Sequence, residues 1–121
     1  MDLYRELILD HYTNPRNSGV LPQPTHSASY DNPICGDQVS VSLIVHQNQI
    51  QQIKFQVSGC VIATATASLL SEKVIHQSLD QINSLTLEDL IVLLGTPLTT
   101  SRQQCALVPL QALKSALNLN K

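Results

Sequence analysis

The sequence predicts an α/β domain of the α+β kind, and three observations carry that prediction. Strand-type alternation is concentrated in a hairpin around residues 38–57. Helix-type periodicity brackets that hairpin on both sides. The chain of 121 residues is long enough for a single domain, residues 1–121, and not for two.

Residues 3–12 read as a helix. Leu3, Tyr4, Leu7, Ile8 and Tyr12 fall on one face at three- and four-residue spacing, with Asp2 as a cap. Asn14-Pro15 ends it, because the residue before proline avoids the helical region. Residues 13–34 hold four of the six prolines and read as a loop, with a short strand around Ser27 to Tyr30. In residues 38–46, Val39, Val41, Leu43 and Val45 alternate with Ser40, Ser42, Ile44 and His46, the pattern of a half-buried strand. Gln47 and Asn48 make the turn, and Ile53, Phe55 and Val57 alternate on the way back. Ile50 is out of phase with that triplet, which predicts a bulge or a register slip near Gln51. Residues 61–75 form an Ala-rich helix suited to close packing. Ser78 with Gln81 and Thr86 with Asp89 fit capping boxes for two short helices, and Gly95-Thr96-Pro97 stops the second. Ala106, Leu110, Leu113 and Leu117 mark a last amphipathic helix. It either starts near Val108 or is kinked at Pro109.

Composition narrows the function. Hydrophobic residues make up 43% of the chain, enough for a buried core. Charged residues make up 13%, about half the usual share. Seven Lys and Arg, scattered from Arg5 to Lys121, give no basic stripe for a phosphate backbone. Tyr4, Tyr12, Tyr30 and Phe55 are too few for a base-stacking platform. Nucleic acid is therefore not the expected partner. The longest apolar run, from Val61 to Leu70, is short and broken by Thr64, Thr66 and Ser68, so no membrane span is expected. No signal peptide or transit segment is visible, which makes the cytoplasm, of a prokaryote, the expected compartment.

Cys35, Cys60 and Cys105 are an odd number for a reducing compartment. They are buried thiols, a metal site or a reactive thiol. Spacing alone favours ordinary buried cysteines, since none forms a CxxC pair. Local context points the other way. Cys35 stands in Pro33-Ile34-Cys35-Gly36-Asp37 before a strand, Cys60 opens a helix, and Cys105 stands at or before the start of the last helix. Helix N-termini favour a thiolate. A hairpin also brings its entry and exit to the same end, so Cys35, Asp37 and Cys60 can be neighbours.

Four stretches carry a family resemblance. Asp10-His11-Tyr12-Thr13-Asn14-Pro15-Arg16-Asn17 followed by Gly19 is one. Asn32-Pro33 with Cys35-Gly36-Asp37 is the second. Gly59-Cys60 before the Ala-rich helix is the third, and Cys105-Ala106-Leu107 is the fourth. In this order they resemble the IscU/NifU/SufU iron–sulfur cluster scaffolds, in the form of the NifU N-terminal domain. The resemblance implies a SufE/NifU-like fold: a three-stranded, mostly antiparallel sheet with helices packed on one side. It implies Cys35, Asp37, Cys60 and Cys105 as ligands of a transient [2Fe–2S] cluster, with Zn²⁺ as alternative or surrogate. It implies a cysteine desulfurase as sulfur donor, and recipient apo-proteins or cluster carriers as partners. Three thiolates and one carboxylate suit either metal, and the harder carboxylate gives an exchangeable corner.

Three roles are implied as alternatives. The first is a non-enzymatic scaffold. The second is a zinc-dependent sulfurtransferase of the SufU type, with Cys105 as persulfide acceptor; Arg102 is either a solvated surface charge or a partner that gates Asp37. The third is a structural zinc module. The sequence departs from both subtypes. Gln104 stands where IscU-type members have His before the third cysteine. Leu98-Thr99-Thr100-Ser101-Arg102 lacks both prolines of the Leu-Pro-Pro-Val-Lys segment read by a dedicated chaperone, so recognition by it is not expected. Arg102 matches SufU-type members, yet the 45 residues from Cys60 to Cys105 leave no room for their insertion. His11, His26, His46 and His76 are expected in structural or surface roles.

Overall fold

The hairpin turn at Gln47-Asn48 sets the register of the sheet. Both residues have positive φ, 52° and 64°, the conformation that matches the right-handed twist of the flanking strands. In the computed structural model, which describes residues 3–33 and 36–118, β2 (Gln38–His46) and β3 (Gln49–Ser58) run antiparallel from this turn. β1 (His26–Asp31) adds antiparallel to β2, giving the order β1-β2-β3. Ile44 faces Gln52 and Val45 faces Ile50, so Gln51 is the extra residue of a bulge, as its phase break predicts. The bulge turns both Ile50 and Ile53 to the core, at 0% and 2% exposure.

The helices are α1 (Leu3–Thr13), α2 (Val61–Val74), α3 (Leu79–Asn83), α4 (Leu87–Leu94) and α5 (Thr100–Ala116). α2 and α5 pack on the sheet. The main core joins Val39, Val41, Leu43, Ile53 and Phe55 of the strands to Leu70, Val74, Val108 and Leu113 of the helices. Ala63, Ala65 and Ala67 are buried, which lets α2 approach its neighbours closely. Both capping boxes are present, on Ser78 with Gln81 and on Thr86 with Asp89. The outer edge of β3 is covered at both ends. Asn17 and Gly19 bond Phe55, while Gln77 and His76 bond Ile50. Covering an edge in this way removes a template for pairing with other chains.

Two expectations are corrected. The last helix does not begin near Val108. Thr99 caps it by accepting from the Arg102 N–H, so α5 starts at Thr100 with Pro109 in its interior. Cys105 is therefore one full turn inside the helix, not at its start. The inward face of α1 does not include Tyr12, which is 41% exposed. Ile8 is buried as expected, and His11 is buried where Tyr12 is not, because Ser68 of α2 offers His11 a partner.

The segment after α1 is tied to α2 through polar groups. His11 Nδ1 shares a 2.6 Å hydrogen bond with Ser68 Oγ, which also accepts from the Arg16 N–H at 2.9 Å. Asn17 Nδ2 donates to Ser71 Oγ at 3.0 Å. Arg16 also donates to Asp10 at 2.8 Å, and that bond holds the Asp10 carboxyl below its ordinary value. Burial, then the nearby Arg16 charge, pushes His11 below its ordinary value of 6.5, against the pull of Glu72 and Asp10. The unfolded chain therefore binds a proton more readily than the native one. His11 contributes its full stability above pH 6.5 and loses it as pH falls below that value. Urea midpoints should drop between pH 7.5 and 5.5 by more in the wild type than in His11→Gln. Equal drops would remove His11 from the account.

Candidate metal and cluster site

The chain enters β2 through a turn. Gly36 takes φ 76°, a left-handed conformation that glycine adopts without steric cost, and its N–H bonds the Asn32 carbonyl. The Asn32 N–H in turn bonds the Asp37 carbonyl at 2.8 Å. Asp37 is thereby fixed at the start of the strand, buried at 2% exposure. Cys35 lies outside the described residues, directly before this Gly36-Asp37 step.

The exit of the hairpin supplies the second group. Cys60 is the N-cap of α2, and its sulfur accepts from the Ala63 N–H at 3.4 Å. The Cys60 N–H donates to Asp37 Oδ1 at 3.0 Å, and the Cys60 thiol donates to Oδ2 at 3.7 Å. The third group arrives from α5. Cys105 is buried in a second small apolar cluster with Ile8, Ile62, Ala65, Leu94 and Ala106. Pro109, four residues on, has no N–H to give to the Cys105 carbonyl.

The ligand atoms of Asp37, Cys60 and Cys105 lie within 4.8 Å of one another. Metal–ligand bonds of about 2.0–2.3 Å bring tetrahedral ligands to similar separations, so this donor set fits zinc or cluster iron. Cys60 is exposed while Asp37 and Cys105 are buried, which leaves the site open on one side. That side is a cleft of about 700 Å³ whose lining includes Arg5, Leu9, Cys60, Arg102 and Cys105. Arg102 is thus at the site but exposed. His11 serves packing, as expected, and His26, His46 and His76 are not part of the donor set.

Two contributors escaped the sequence reading. Leu9 is 45% exposed on α1 and forms part of the cleft wall. Its signal was an apolar residue off the buried face of its helix. Arg5, also on the wall, carried no signal that separates it from any surface arginine.

Residues 3–120 match the family profile described as the NifU-like N terminal domain. The chain belongs to this family. An iron-sulfur cluster assembly scaffold protein IscU from Archaeoglobus fulgidus is 30% identical over 115 residues, covering 95% of this chain and 74% of that relative. A zinc-dependent sulfurtransferase SufU from Bacillus subtilis is 29% identical over 132 aligned residues, covering 95% of this chain and 89% of that one. That alignment is longer than this chain's 121 residues, so the relative carries residues that this chain lacks. The N-terminal part of a NifU-like protein from Brucella abortus has the same fold. Its TM-score is 0.78 at 18% identity, over 97% of this chain and 93% of that one. The three-stranded antiparallel sheet with helices packed on it is thus the family fold. No helix among the described residues is long and apolar enough to cross a membrane.

Proposed function

We propose that this protein is a scaffold for iron–sulfur cluster assembly. A cysteine desulfurase delivers sulfane sulfur, an external reductant converts it to sulfide, and iron joins it. The resulting [2Fe–2S] cluster is the cargo, passed on to apo-proteins or cluster carriers. Asp37, Cys60 and Cys105 are the donors brought together, and Cys35 is the fourth by its place in the sequence. The observation that carries this reading is the convergence of two thiols and a carboxylate from three separate elements, with both thiols on the wall of an open cleft. A closed structural zinc site uses four Cys or His ligands out of reach of solvent. Here one thiol is exposed, and the carboxylate gives a harder and more exchangeable contact to iron.

The zinc-dependent sulfurtransferase reading has two supports. One is the SufU relative, and the other is Arg102 on the cleft wall. In that reading Zn²⁺ is held by the same donors and a persulfide is taken by ligand exchange. Cys105 is the expected acceptor, yet Cys105 is buried and Cys60 is exposed, which among the described thiols favours Cys60 over Cys105 as the one a donor meets. The missing inserted residues count against this reading. An extended chaperone-read segment is also not favoured, because Thr100 to Arg102 are already wound into α5.

The deciding experiment is anaerobic reconstitution with a cysteine desulfurase, iron and reductant. The expected result is visible charge-transfer absorption of a [2Fe–2S] cluster and its transfer to an apo-acceptor. Protein that forms no cluster but binds zinc and accelerates the desulfurase would move the assignment to the sulfurtransferase.

A further inference from the structure

The β2–β3 ladder ends on the pair Gln38 and Ser58, and one further step in the same register sets Asp37 opposite Gly59. Two facing residues with side chains keep their Cβ atoms about 4.5–5.5 Å apart. Asp37 does not stand off in this way. A Cβ added to Gly59 would lie 2.4 Å from Asp37 Oδ1, 2.8 Å from its Cγ and 3.1 Å from its Cβ. The carboxylate therefore occupies the space that any side chain at position 59 would need. Gly59 does not take a left-handed conformation. Its requirement is for space and not for an unusual φ.

We propose that Gly59 is the positioning residue for Asp37, and this rests on the reading of Asp37, Cys60 and Cys105 as the donor set. The missing side chain lets the carboxylate fold back onto the Cys60 N–H, which fixes Oδ1 at 3.0 Å. Oδ2 is then the oxygen left facing the Cys60 thiol, 3.7 Å from its Sγ. Asp37 is thereby a one-oxygen donor, held from behind by the backbone of the residue that supplies a thiol. Such a donor can leave a metal and return without a change of fold, since its second oxygen stays tied. A methyl group at position 59 breaks the arrangement. Asp37 is buried at 2% exposure, so relieving the collision moves the carboxylate or the strand end itself.

The test is a cycle of Gly59→Ala, Asp37→Gly and the double variant. Zn²⁺ affinity is read by competition with a chromophoric chelator, and metal-free stability by urea. Gly59→Ala should weaken zinc binding by about 10–100-fold, the range for losing support behind a ligand. In the Asp37→Gly background the same substitution should change nothing further, because its collision partners are gone. Wild-type affinity in Gly59→Ala, or an equal added loss in both backgrounds, overturns the inference. If Gly59→Ala does not fold, recovery of folding in the double variant supports the contact, and an unfolded double variant overturns it. Wild-type protein that binds no metal overturns the donor set and the inference with it. Wild-type binding beside an unaffected Gly59→Ala overturns the inference alone.

Discussion

Cys60→Ser is expected to lose metal and cluster binding while keeping its fold. The sulfur is one of three donors within 4.8 Å, and it is the exposed thiol of the set. Serine is of similar size and puts a capping oxygen where the sulfur was, and serine is among the preferred N-cap residues. The bond from the Ala63 N–H to the side chain is therefore preserved, and no buried surface is lost. A hydroxyl stays protonated at neutral pH and does not replace a thiolate toward zinc or cluster iron. Outer groups around a metal cost about 10–100-fold when removed, so a direct ligand should cost at least about 100-fold. Chelator competition for zinc and cluster absorbance after reconstitution measure the loss, and urea unfolding checks the fold. Retained zinc affinity would remove Cys60 from the donor set. A collapsed urea midpoint would show that its role is structural.

Leu70→Ala should produce the largest loss of stability. Leu70 is fully buried on α2 and belongs to the cluster that holds Val41, Leu43, Phe55 and Leu113. Truncating a buried leucine removes transfer energy and leaves a cavity, for a cost of about 2–5 kcal/mol. A domain of ordinary stability has about 5–15 kcal/mol in all, so this is a large share. The consequence reaches the site, because α2 carries Cys60 at its cap and Ile62 and Ala65 against Cys105. Urea unfolding gives the number directly. A change under about 1 kcal/mol would mean that the Leu70 position does not anchor α2 to the sheet, since that is the range of substitutions outside a packed core.

Much of the fold was legible because its signals are local. The phase break between Ile50 and Ile53 signals a bulge or a slip, and in the structure Gln51 is the extra residue of a bulge. The capping boxes need partners three residues away, so Ser78 with Gln81 and Thr86 with Asp89 could be read directly. The nearness of Asp37 to Cys60 was also legible, since antiparallel pairing joins the two ends of a hairpin.

What failed depended on distant neighbours. Apolar weighting placed Tyr12 inward on α1, but a hydroxyl 57 residues from His11 in sequence made the histidine the inward residue. Of the two alternatives at Pro109, a late start or a helix that runs through it, a cap at Thr99 and burial of Val108, Pro109 and Leu110 go with the second.

The sequence by itself determined the low charge, the three thiols, the hairpin and the family to which their order belongs. Only the tertiary structure decided the site. Cys105 meets Asp37 and Cys60 because α5 packs beside α2 through small buried residues, among them Ala65 and Ala106. The same packing leaves Cys60 exposed and Cys105 covered. No spacing of cysteines along the chain encodes that difference, because exposure is set by what the other helices place over each sulfur.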